Sequence, residues 1–207
     1  DETPIVLPLL DFNHVGKRDR IGGRSFLDAN FLALTRAKGT DTRRMSFHPR
    51  WQRPLITDFG DSTMMTLGLN ADFYQVNGLK RGNETDSFNG FSHRTVPFAA
   101  FDWSRPMVKR TGNASQTIEP VVSIVLRQYG GNSNKIPNED STELEFDETN
   151  LFSDNRFTGI DKLEGGPRIN YGLQWALTGD NGNRSSVFFG QSYRLKDDST
   201  FGEGSGL

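Results

Sequence analysis

The sequence predicts an all-β fold: an antiparallel transmembrane β-barrel segment of about eight strands with one long extracellular loop. Three observations carry this. Apolar and polar residues alternate at period two over long stretches, so one face of each strand is apolar and the other polar. The stretches run about ten to fourteen residues, beyond the five or six usual in soluble sheets and close to what a tilted strand needs to cross a bilayer. The linkers between them also alternate in length, as short periplasmic turns and long extracellular loops do.

Taken in order, the strands are expected at about 4–13, 25–35, 44–55, 62–76, 94–104, 116–128, 168–178 and 186–196, all within one domain spanning 1–207. The first, second and fifth alternate weakly. In the third, Met45, Phe47, Pro49 and Trp51 oppose Arg44, Ser46, His48, Arg50 and Gln52. The fourth sets Met65, Leu67, Leu69, Ala71 and Phe73 against Thr66, Gly68, Asn70, Asp72 and Tyr74. The sixth opposes Ile118, Val122, Ile124 and Leu126 to Glu119, Ser123 and Arg127. The seventh opposes Ile169, Tyr171, Leu173 and Trp175 to Arg168, Asn170, Gly172 and Gln174, and the eighth Val187, Phe189 and Tyr193 to Gly190, Ser192 and Arg194. A helix would scatter these residues around its axis. Linkers 56–61, 106–114 and 178–184 are short, and 77–91 and 129–166 are long; 36–42 falls on the long side yet is short. Pro49 and Pro120 lack a ladder donor and mark edges, bulges or distorted pairing.

A soluble antiparallel sandwich produces the same alternation, with its apolar face packed on a second sheet. Bulky aromatics near strand ends (Trp51, Phe73, Trp103, Trp175, Tyr193) favour the barrel, because interfacial girdles place them there.

Composition narrows the function classes. Hydrophobic residues make up 34% of the chain and mean hydropathy is −0.60, yet there are 16 Phe, three Trp and four Tyr, which argues against intrinsic disorder. A net charge of −2 provides no basic field for nucleic acid. No apolar run is long enough for a transmembrane helix, but strands need none. Without Cys there is no disulfide and no thiolate metal site. His14, His48 and His93 stand apart with no ligand or triad spacing, so no metal, no cofactor and no catalytic residue is expected, and the chain does not read as an enzyme. A start at Asp1 and an end in GEGSGL suggest a piece of a longer chain.

The segment 136–166 is the most distinctive. Glu139, Asp140, Glu143, Glu145, Asp147, Glu148 and Asp154 make it acidic enough to gather divalent cations, although it lacks EF-hand spacing. A solvated loop is the plain alternative. Leu144, Phe146, Leu151, Phe152, Phe157 and Ile160 are too apolar for a free loop, so it is expected to fold against the barrel rim or lumen.

Here the chain resembles a known family. The run NEDS…FDETNLFSDNRFTGIDKLEGGPRINYGL, followed by VFFGQSYRL, is similar to the barrel region of LptD, the lipopolysaccharide-assembly family of Gram-negative outer membranes. The motif residues are Asn138, Asp140, Ser141, Asn150, Leu151, Phe152, Gly159 and Asp161, and RMSFHPRWQRPL, DFYQ and TIEPVVSIV extend the likeness over nearly the whole chain. The resemblance implies a mid-barrel piece of a lipopolysaccharide translocon with no catalytic step. Its partners would be lipopolysaccharide, outer-membrane lipids, an LptE-like lipoprotein plug and the periplasmic Lpt bridge. The family's lateral gate and cysteines are not visible in this sequence. Candidates to line a hydrated passage are Arg44, His48, Arg50, Asn70, Asp72, Glu119, Arg127, Arg168, Asn170, Gln174 and Arg194, where arginine suits phosphate through forked hydrogen bonds. Their plain alternative is mutual pairing on the inner wall. Lipid-facing candidates are Phe47, Trp51, Leu67, Leu69, Phe73, Ile124, Tyr171, Leu173, Trp175 and Phe189. A porin or other transporter, a soluble sandwich binding module and a barrel hydrolase stand as alternatives.

Overall fold

Strict period-two alternation leaves backbone donors and acceptors pointing sideways, to be satisfied only by neighbouring strands. The computed structural model, which describes residues 3–81, 86–140 and 150–195, pairs them in one antiparallel sheet. Its strands are β1 (Ile5–Arg18), β2 (Arg24–Thr35), β3 (Asp41–Ile56), β4 (Ser62–Lys80), β5 (Ser87–Ser104), β6 (Met107–Thr111), β7 (Ala114–Arg127), β8 (Arg168–Gly179) and β9 (Arg184–Arg194). The order is β1-β2-β3-β4-β5-β7-β8-β9, with β6 also on β7, so the strands follow chain order across the sheet except that β5 and β6 share one side of β7. The sheet is not closed: β1 and β9 are its two edges. No helix occurs among the described residues.

All eight expected strands are present, and several are longer than expected. The largest correction is at 77–91, expected as a long loop: β4 runs on to Lys80 and β5 starts at Ser87. Asn77, Gly78, Asn89 and Gly90 look like turn residues, but the ladder absorbs them through a register shift between Val76 and Leu79. Gly78 takes a positive φ of 77° there, and its N–H donates to Asn89 Oδ1 at 2.7 Å. The linker 106–114 likewise contains β6. β5 and β6 form one line along β7, broken only at Arg105–Pro106, where Arg105 N–H donates to the Pro120 carbonyl at 3.2 Å. Pro49 and Pro120 cause no bulge. The β3–β4 ladder skips His48 and Pro49 but resumes in unshifted register, and Pro120 stays opposite Leu173. Only 128–167 is therefore a long connection, and it leaves the sheet at the same end as the β2–β3 and β4–β5 connections.

The two faces differ as the parity requires. On one, Met45, Phe47, Leu67, Phe73, Tyr171, Leu173 and Phe189 are exposed. On the other, Arg44, Ser46, Thr66, Asp72, Tyr74, Arg94, Ser123, Val125, Arg127, Arg168 and Asn170 are buried. The described part of the 128–167 connection lies over Arg44, Tyr74, Arg94, Arg127 and Arg168 and bonds to them, and its own Leu151, Phe157 and Leu163 are buried; Ile136 packs with Tyr74 and Val76. A sandwich covers its apolar face, whereas here the covered face is the polar one.

Candidate functional site

The site is the layer between the polar face and the connection. Two of the motif segments interlock at its centre. Asn138 Oδ1 accepts the N–H of Asp140 at 3.2 Å, and this turn delivers the N–H of Glu139 to Asp161 Oδ2 at 3.1 Å. In return Asp140 accepts the N–H of Asp161. Gly159 has φ +92°, and a Cβ there would fall 2.1 Å from Asp140 Oδ1. Only glycine meets both demands, the left-handed backbone and the space for a carboxylate. Burial, and then the nearby Asp161 carboxylate, push the Asp140 carboxyl above its ordinary value.

The wall holds this clasp by charge. Arg44 Nη1 on β3 donates to Asp161 Oδ1 at 2.6 Å, and the Tyr74 hydroxyl on β4 donates to the same oxygen at 3.1 Å. Arg94 on β5 bridges inward and outward. Its Nε donates to Asp72 Oδ2 at 2.6 Å, and its terminal nitrogens donate to the carbonyls of Asp161, at 2.6 Å, and Ile160. Asp72 also meets His48 Nε2 at 2.9 Å. Asn132 pairs with the backbone of Leu163 in both directions, at 2.6 and 3.0 Å.

A second centre is Glu164, whose side chain is fully buried. Arg156 forks onto its carboxylate, Arg194 Nη2 reaches it at 3.0 Å, and Arg168 Nη1 lies 3.3 Å away. Burial alone would raise its carboxyl, but the Arg156 hydrogen bond and the charges of Arg168, Arg156 and Arg194 win and hold it below the ordinary 4.5. Arg168 Nη2 also donates to the carbonyls of Ser153 and Asp154, and Arg127 stacks on the Phe98 ring at 4.6 Å. Removing one partner from such a centre leaves buried charge uncompensated, at about 3–5 kcal/mol.

A third contact is apolar. Phe152 meets Phe188 of β9 edge-on at 5.9 Å, and Leu151 sits where a Cβ on Gly190 would be, 2.6 Å from it. The NLF and GQSY motifs, separated by the chain, thus fit one another.

The expected inner-wall residues all share this face, but they divide into two groups. Arg44, Asp72, Arg127, Arg168 and Asn170 are buried, and His48 and Arg194 half-buried, within the layer. Arg50 pairs instead with Asp28 at 2.5 Å, Asn70 is half-buried, and Glu119 and Gln174 face each other across β7 and β8 beyond the clasp. Of the lipid-facing set, Leu69, Ile124, Trp51 and Trp175 are half-buried and the rest exposed; Trp51 is anchored through its Nε1, which donates to Asp19 Oδ2 at 2.8 Å. Ser141 and the acidic residues Glu143, Glu145, Asp147 and Glu148 lie outside the described residues. Glu139 is engaged by both terminal nitrogens of Arg36. Among the described residues no cluster of three metal-ligating side chains occurs.

Tyr74, Arg94, Asn132, Arg156 and Glu164 were not among the expected site residues. Tyr74 and Arg94 share the inward face with Asp72, opposite Arg94 in the ladder, which is the signal parity offered. Nothing in the local sequence marks Arg156 and Glu164 as partners.

Comparison with known proteins places these features in context. The family model described as LptD, LPS transport system D, matches residues 1–206. An LPS-assembly protein LptD of Pseudomonas putida strain GB-1 is 32% identical over 202 residues, covering 87% of this chain and 21% of the relative. One from Neisseria gonorrhoeae is 27% identical over 99% of the chain and 25% of the relative, and one from Histophilus somni 26% over 94% and 27%. The chain thus spans about a fifth to a quarter of the length of these curated relatives.

Proposed function

Because the chain belongs to the LptD family, we propose that it forms an arc of the wall of an outer-membrane β-barrel that inserts lipopolysaccharide into the outer leaflet. One observation carries this reading. The sheet leaves an apolar face open, with Phe189 71% and Leu67 49% exposed, while spending its own long connection on the polar face. In water that choice is unfavourable, since large apolar patches are normally covered. Against hydrocarbon it is the favourable one, because lipid solvates the apolar face and unpaired polar groups belong inside. Both sheet edges would then continue into further strands, and the whole would be a multi-pass barrel.

On this reading Arg50, Asn70, Glu119 and Gln174, beyond the clasp, line the hydrated interior and meet the sugars and phosphates of the passing glycolipid, with Arg50 suited to phosphate. The 128–167 connection caps the interior from the end opposite the tight turns. An LptE-like lipoprotein inside the barrel and a periplasmic Lpt bridge below it complete the assembly, and energy for transport comes from elsewhere, so no residue here has a catalytic role. The test is depletion of the full-length protein in its own cells. Newly made lipopolysaccharide should stop reaching the surface while its synthesis continues; undiminished surface delivery overturns the reading.

A further inference from the structure

The face turned away from the clasp carries a groove that the network behind it does not use. It is lined by Phe31, Met45, Phe73 and Phe91, with Arg43 and His93 at its margin. Register orders these residues in rows across β2 to β5. Phe31, Met45, Phe73 and His93 form one row; Arg43, Gln75 and Phe91 form the next toward the loop end; Asp41 and Asn77 form the one after. Passing toward the loops, the surface therefore changes from hydrocarbon-like, to a row that carries the Arg43 guanidinium, to a polar row that carries the Asp41 carboxylate.

Arg43 is a cation without a carboxylate among the described residues. Its guanidinium meets Gln75 Oε1 at 3.3 Å, and the nearest acid along its own strand, Asp41, accepts the N–H of Arg36 at 2.8 Å. An exposed arginine fork held at the edge of an apolar groove, with no carboxylate in ion-pair contact among the described residues, suits a phosphate whose lipid tails lie in that groove. Four strands at about 4.8 Å spacing make the patch about 14 Å wide, a breadth that fits a lipid with several acyl chains better than one with two.

We propose that this groove is an external binding site for a phosphorylated, multiply acylated glycolipid of the outer leaflet, with its acyl chains over Phe31, Met45 and Phe73 and a phosphate on Arg43. This rests on the reading above, which points the loop end outward. The occupant is lipopolysaccharide already delivered to the membrane, held from outside the wall rather than in transit through it.

The test uses the full-length protein in vesicles of phosphatidylglycerol containing a small fraction of lipid A. A photo-crosslinking p-benzoylphenylalanine is placed at Phe91 or, as a distant site on the same face, at Phe189. Lipid A should be captured at position 91 well above its share of the vesicle, and at 189 in proportion to it. Arg43→Gln should lower the enrichment at 91 about fivefold, and lipid A stripped of its phosphates should show the same loss with the arginine intact. Equal capture at both positions, or enrichment of phosphatidylglycerol at 91, overturns the site. Capture of no lipid at either position overturns the membrane reading itself.

Discussion

Arg44 and Asp161 meet at 2.6 Å across 117 residues of chain, with both side chains almost fully buried. The contact joins the third strand of the wall to the end of the long connection, so buried charge joins the wall to its cap beside the apolar contacts of Ile136 with Tyr74 and Val76 and of Phe152 with Phe188. Such a junction is demanding, because buried ions tolerate little misplacement and lose much when one partner goes.

Asp161→Asn should therefore release the connection. It leaves Arg44 facing a neutral amide and weakens acceptance from Tyr74 and Glu139. Amides of 150–167 should lose hydrogen-exchange protection by an amount equivalent to about 3–5 kcal/mol, whereas Tyr74→Phe, which removes one hydrogen bond, should cost about 1 kcal/mol. The double variant Arg44→Met with Asp161→Leu should recover much of the protection, since it buries no unpaired charge.

Acid should act on the connection through two carboxyls with opposite signs. Glu164 titrates below its ordinary 4.5 in the folded protein, so its contribution is fully present above that value and is withdrawn as pH falls through the folded value. Asp140 is raised, so its ionised form costs stability at neutral pH and protonation relieves that cost. Protection of 150–167 should thus hold or rise slightly from neutrality to about pH 5, and fall below about pH 4. Measured by exchange across that range, Glu164→Gln should lower protection at neutral pH and flatten the acid limb, the two proteins converging as Glu164 protonates.

Gly159→Ala should be costly for a residue at the surface. A left-handed backbone costs a non-glycine residue about 1–2 kcal/mol, and the new methyl must also displace the Asp140 carboxylate. Faster proteolytic cleavage within 150–167, with the strands unaffected, is the expected readout.

The two faces should respond oppositely to one added charge. Leu69→Arg places a guanidinium on the apolar face, at about 2–4 kcal/mol in a bilayer, and should abolish membrane assembly of the full-length protein. Asn70→Arg, on the inward face, should be tolerated. Assembly is followed by heat-modifiable gel migration, and equal behaviour at the two sites contradicts the barrel.

Much of this arrangement is legible in the sequence because it is local. Parity alone separates Phe73 from Asp72 and Leu173 from Gln174, since the pleat sends neighbouring side chains to opposite faces whatever else the chain does. Local signals also mislead where the ladder overrides them: Asn77, Gly78, Asn89 and Gly90 carry turn chemistry, yet hydrogen bonding across β4 and β5 keeps them in the sheet. The motif residues stood out as a family signature, but their purpose did not. That Gly159 makes room for Asp140, or that Leu151 fills the place of a side chain on Gly190, follows from contacts between segments that nothing local relates.

The sequence by itself determined an all-β antiparallel meander with one apolar and one polar face, and one long acidic connection with too many apolar residues to stay free. Only the tertiary structure decided which face that connection covers, and that Arg44 pairs there with Asp161, Arg94 with Asp72 and Arg168 with Glu164. The reason is physical. Alternation depends on geometry repeated every two residues, whereas the partner of a buried charge is chosen by desolvation and Coulomb energy among groups up to 117 residues apart.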